Sequence, residues 1–107
     1  MESEKRLEPR KILEDYYSVE FEISPELPIH QFRIRDVSPS GMGILVNGKS
    51  AVLERLKVGD ILEMKYNPAK PLDSAEHLRT EIRHITTIDA GPFRGHYLVG
   101  IKVLETS

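Results

Sequence analysis

Asp36-Val37-Ser38-Pro39-Ser40-Gly41-Met42-Gly43 sets a carboxylate, two hydroxyls, a proline and two glycines between apolar runs. Asp36 and Ser38 stand two apart, so on a continuing strand their side chains point the same way. Pro39 lacks a backbone donor and fits a turn, while Gly41 and Gly43 permit positive φ or close approach of a ligand to the backbone. An acceptor, a hydroxyl and bare backbone together describe a binding lip at one sheet edge. A second candidate opens the chain. In Glu4-Lys5-Arg6-Leu7-Glu8-Pro9-Arg10-Lys11 four of eight residues are basic, and Arg6 and Arg10 stand four apart. On a continuous helix they would share a face about 5–6 Å apart. Pro9 opposes that by pushing Glu8 out of the α region. In an extended arm the same pair is separated by roughly 13 Å. Such an arm sets one guanidinium on each of two groups of a ligand; the competing description is a solvated chain terminus.

The same arginine spacing recurs in Arg79-Thr80-Glu81-Ile82-Arg83. There it falls on a strand with Glu81 between the arginines on one face, which describes a neutralised, solvated surface. His30, His77, His84 and His96 lie in four separate segments without metal-ligand spacing, as surface or rim histidines do. Ser38 and Ser40 lack the strand–turn–helix elbow of a nucleophile. Gly41 and Gly43 are followed by neither the lysine nor the helix of a phosphate loop. No residue set supports catalysis, a metal or a cofactor.

Composition narrows the partners. The 107 residues suffice for one domain with a modest core. A net charge of −2 at pH 7 argues against general binding to DNA or RNA, so a bound nucleotide needs a local cluster of positive charge. With no cysteine there is no disulfide framework, thiolate metal site or cysteine nucleophile. No apolar run approaches the roughly 18 residues of a membrane span and no signal-peptide pattern is present, so a cytoplasmic protein is expected.

The elements that must hold these residues are strands. Tyr17, Val19, Phe21 and Ile23 alternate with Ser18, Glu20 and Glu22, predicting a strand from about 16 to 23. Further strands are predicted at about 29–36, 42–47, 61–66, 76–88 and 96–105. Ser50 caps a short helix over Ala51 to Leu56, closed by Gly59. Six strands joined by turns, with at most one short helix, predict an all-β antiparallel barrel whose closure protects its edges. The expected organisation is one domain over residues 1–107, with a flexible arm at 1–11 and the barrel at 12–105.

Arg6-x-x-x-Arg10, followed after the first strand by Asp36-x-Ser38-x-x-Gly41, resembles the RxxxR and D/NxSxxG signatures of PilZ domains. These are bacterial six-stranded barrels that bind the second messenger cyclic di-GMP. Gly59 and Gly100 also fall where such domains carry glycines. The resemblance implies that Arg6 and Arg10 take the phosphates and guanines from the arm, in the bridging and stacking roles that a planar guanidinium suits. It further implies that Asp36 accepts from guanine N1–H and N2–H2, that Ser38 offers its hydroxyl to a base or phosphate, and that Gly41 admits the ligand to the backbone. Lys5 stands where the family sets whether one ligand or a stacked pair binds. The C-terminal helix of many members is expected to be missing or very short.

The function implied is that of a cyclic di-GMP receptor. Its arm folds over the ligand and so changes the surface shown to a downstream protein, with motility, adhesion or biofilm control as output. A monomer or weak dimer is expected, with no membrane insertion. The alternative is a PilZ-like adaptor that works through protein contacts without nucleotide. A small barrel binding RNA or single-stranded DNA fits poorly with the acidic charge, the absence of Trp and the seven aromatics.

Overall fold

A computed structural model describes residues 11–12, 17–22, 29–67 and 76–106. Among the described residues there are seven strands: β1 (Lys11–Ile12), β2 (Ser18–Phe21), β3 (His30–Ser38), β4 (Gly41–Asn47), β5 (Ile61–Asn67), β6 (Glu76–Thr87) and β7 (His96–Thr106). All pairings are antiparallel. From β3 the sheet runs through β2, β5, β6, β7 and β4, and β4 pairs back onto β3. The ring closes over six strands, as the alternation predicted. β4 holds one edge of β3 from Ile34 to Ser38. β1, which pairs Lys11 with Val37 and Ile12 with Asp36, therefore takes the other.

Alternation builds the interior. Val19, Phe21, Phe32, Ile34, Met42, Ile44, Val46, Met64, Leu78, Ile82, Val99 and Ile101 form one buried cluster, with Val52 and Leu56 packed into it. Side chains of this kind contribute about 1.5–3 kcal/mol each when taken out of water. The predicted short helix is a 3₁₀ helix, Ala51–Arg55, whose N-cap Ser50 accepts from the Val52 amide at 3.2 Å. Gly59 follows it at φ +98°, a conformation that other residues adopt only with strain.

Two strand limits moved in ways that matter. The strand predicted at about 29–36 runs on to Ser38, and the one predicted at about 42 starts at Gly41, so the motif is strand up to a two-residue turn. β1 had no signal in the pattern, because two residues show no periodicity. Ser18, predicted on the wet face, is buried beneath Gln31 and Asn67, whose amides donate to its hydroxyl at 2.7 and 3.4 Å.

Candidate functional site

The outer face of β3 is shaped by one irregularity. Ile34 pairs with Ile44 and Asp36 with Gly43, so Arg35 is an extra residue opposite a single step of β4. Such a β-bulge breaks the two-residue alternation and re-aims the side chains beyond it. Ile34 enters the core. After the bulge it is Val37, paired with Met42, that packs against the core, and Asp36 and Ser38 turn outward with Gly43 and Gly41. The expectation that Asp36 and Ser38 share a face therefore holds, but the face is set by the bulge. Unbroken alternation from Phe32 and Ile34 would have sent both inward.

The lip is not a sheet edge, since β3 is paired on both sides. Nor is Asp36 open to solvent. Its side chain is fully buried on the outer face, and its Oδ2 accepts from Arg35 Nε and Nη2, each at 2.8 Å. Neighbouring residues of a regular strand point to opposite faces, so this contact exists only because of the bulge. Burying a carboxylate without a partner is costly, and the guanidinium fork neutralises it.

The glycines have local explanations. Neither Gly41 nor Gly43 has positive φ; among the described residues only Gly59, Gly91 and Gly95 do. At Gly41 a Cβ would run into the Ile101 carbonyl, so its bareness is needed for the approach of β4 to β7. A Cβ on Gly43 would stand 3.0 and 3.1 Å from the Asp36 carboxylate oxygens and 3.0 Å from Leu98 Cδ1. Gly43 pairs with Gly100 of β7, and Gly100 pairs with His84 of β6, whose imidazole fills the space a side chain at 100 would take. A row of four thus crosses the barrel wall: Asp36, Gly43, Gly100, His84. Both bare positions are buried, Gly43 under the Asp36 carboxylate and Leu98, and Gly100 under the His84 imidazole, so the glycines let these side chains lie against the sheet.

Basic residues lie on the strands that carry this row. Arg33 lies two residues before Arg35, with its guanidinium 5.6 Å from the Phe93 ring centre. Lys102 pairs with Gly41 and with Glu81. β1 brings the chain alongside the same motif strand through Lys11 opposite Val37. Lys5, Arg6 and Arg10 lie outside the described residues, so of the predicted site residues the structure brings together Asp36, Ser38 and Gly41. The role of Arg35 and the pairing of Gly43 with Gly100 escaped the sequence reading, which took His84 only as a surface or rim histidine. Arg35 was visible only as the basic partner of Arg33 in an alternating strand, and the glycine pair needs the β4–β7 register.

Arg79 and Arg83 form the solvated face that was predicted. Arg83 stands 3.8 Å from Glu81, and Arg79 reaches Glu105 at 3.8 Å and Glu63 at 3.9 Å on the neighbouring strands. Open clefts at the far end of the barrel, one bounded by Lys49, Asp89, Arg94 and Tyr97, contain no motif residue. Among the described residues no three His, Cys, Asp or Glu side chains could hold a metal ion, and no helix is long and apolar enough to cross a membrane.

With this geometry in place, the chain was compared with known proteins. The family model described as PilZ domain matches residues 4–107. No curated protein matches significantly. Among solved structures, the PilZ domain with c-di-GMP of YcgR from Escherichia coli superposes with a TM-score of 0.69 at 19% identity, covering 94% of this chain and 79% of that one. The inhibitor of motility MotI/DgrA of Bacillus subtilis gives 0.70 at 12% identity, covering 95% and 44%. MrkH, described as a c-di-GMP-dependent transcription regulatory factor, gives 0.70 at 16% identity, covering 90% and 42%. The chain spans less than half of the latter two, and at these identities the likeness is one of fold.

Proposed function

The chain belongs to the PilZ domain family, and on that premise we propose that it is a receptor for cyclic di-GMP. The observation that carries this reading is the docking of β1. Ile12 lies opposite Asp36 and Lys11 opposite Val37, so the segment bearing the arginine motif ends beside the strand bearing Asp36 and Ser38. Arg10 is bonded to Lys11, so β1 returns the chain to the motif strand directly after the arginine motif, although Arg10 and Asp36 are 26 positions apart in the sequence. The ligand is a dianion with two guanines, and the outer face of β3 already carries two arginines in a chain whose net charge is −2.

In this reading Arg6 and Arg10 engage the phosphates and guanines from the N-terminal segment, with Lys5 next to them deciding between one ligand and a stacked pair. Asp36, Ser38 and Gly41 lie on the opposing strands β3 and β4. Closure of the segment over the ligand changes what the barrel shows to a downstream protein. The domain acts without catalysis, in the cytoplasm, as a monomer or weak dimer. The c-di-GMP named for the YcgR and MrkH structures supports the ligand. The description of MotI/DgrA as an inhibitor of motility supports motility as one output.

Calorimetric titration with cyclic di-GMP, with GMP as control and Arg10→Ala alongside, tests the reading. Saturable binding that Arg10→Ala abolishes is the expected result, and its stoichiometry reports on Lys5. Well-folded protein that gives neither heat nor thermal stabilisation at high ligand would overturn it in favour of the adaptor.

A further inference from the structure

We propose that Arg35 is a third arginine of the ligand face, and that Asp36 serves that face chiefly by positioning it. The inference rests on the cyclic di-GMP reading and goes beyond it, because Arg35 belongs to neither sequence motif and it gives Asp36 a different role from direct base recognition.

The asymmetry of the pair carries the inference. The Asp36 side chain has no exposed surface, while that of Arg35 is 30% exposed. Oδ2 of Asp36 is occupied by both Nε and Nη2 of Arg35, and the carboxylate lies over Gly43, where a Cβ would stand 3.0 Å from Oδ1 and 3.1 Å from Oδ2. A guanine edge that pairs its two N–H donors with a carboxylate needs both oxygens on an open side. This carboxylate offers no such side. The guanidinium does the opposite: its inner edge is fixed on Asp36, and its Nη1 has no hydrogen-bond partner among the described residues. That outer edge and its flat face suit phosphate oxygens, the O6/N7 edge of guanine, or stacking on a base.

Preorganisation gives the contact its weight. An arginine on a free chain segment loses rotamer freedom when it binds, whereas Arg35 is already held by two 2.8 Å contacts on a paired strand. The bulge is what makes this possible, since it puts a residue and its successor on the same face.

The test is a set of cyclic di-GMP titrations on the whole chain, each variant first checked by thermal melting. Arg35→Ala leaves Asp36 without this partner and is open to misfolding, so Arg35→Lys, which keeps the charge and removes the fork, is the deciding variant. We expect it to bind at least fivefold more weakly than wild type. Asp36→Asn, whose amide oxygen still accepts from Arg35, should stay within threefold of wild type. Asp36→Ala should bind at least tenfold more weakly, and combining it with Arg35→Ala should cost no more than either change alone. Folded Arg35→Lys within twofold of wild type overturns the inference, as does Asp36→Asn falling as low as Asp36→Ala, which would mean that the carboxylate touches the ligand itself. Wild-type protein that binds no cyclic di-GMP overturns the receptor reading and this inference with it.

Discussion

Two strands of this barrel carry arginines beside carboxylates on their outer faces, and they hold them differently. On β6, Arg79 and Arg83 reach Glu63, Glu105 and Glu81 at 3.8–3.9 Å, and both arginine side chains are 53% exposed. On β3, Arg35 makes two contacts of 2.8 Å to a carboxylate with no exposed surface. Longer, wetter pairs lose most of their attraction to solvent screening and side-chain entropy. A short fork on a desolvated carboxylate keeps it, and fixes where the cation points. Spacing did not separate the two: Arg79 and Arg83 repeat the four-residue interval of Arg6 and Arg10. What separates them is the backbone. β3 has a bulge that stacks neighbouring residues on one face, opposite a glycine that leaves space for a carboxylate, and the β6 arginines stand in open solvent.

The strongest way to break this contrast is to force β4 away from β7 at the motif. Gly41→Ala drives a Cβ into the Ile101 carbonyl, and the strained β4–β7 pairing should lower stability by about 3 kcal/mol in chemical denaturation. A loss below about 1 kcal/mol would mean that the strands part there at little cost. Removing the inner partner comes next. Arg35→Ala should destabilise the fold by about 2 kcal/mol, because the buried Asp36 loses a charged donor. The same truncation on β6 calibrates it: Arg83→Ala and Arg79→Ala should each change stability by less than about 0.5 kcal/mol. Equal losses at Arg35 and Arg83 would erase the distinction between the two faces.

Ligand binding sharpens the contrast further. Arg10→Ala should weaken cyclic di-GMP binding by tenfold or more, since a charge-assisted contact contributes roughly 1.5–3 kcal/mol. Arg83→Ala should leave the dissociation constant within twofold of wild type. An Arg83 effect matching that of Arg10 would move the site to β6. The smallest expected effect is that of His84→Ala, about a twofold to threefold loss. The imidazole covers Gly100 and is exposed, without the clamp that holds Arg35.

Much of the fold was legible in the chain. Six of the seven strands follow from alternating apolar residues and from turn chemistry such as Asn47-Gly48, where Asn47 Oδ1 accepts from the Lys49 amide at 2.8 Å. Barrel closure was legible too, because β3 and β4 carry the inward-facing residues that a closed sheet buries. β1 was not, since two residues have no period and pair only because β3 presents a free edge there. The motif residues Asp36, Ser38 and Gly41 stood out by type and spacing. Their environment did not. Nothing in Arg35-Asp36 announces a bulge, which depends on how Ile34 and Asp36 register against Ile44 and Gly43 of β4.

By itself, then, the sequence determined the class of fold, the order of its strands and the family to which it belongs. These depend on local periodicity and on short motifs written in consecutive residues. Only the tertiary structure decided that Asp36 is buried on the outer face, that Arg35 is clamped to it, and that Gly43, Gly100 and His84 complete one row. Those facts belong to register between strands distant in the chain, and a one-residue shift in register reverses which face every side chain occupies.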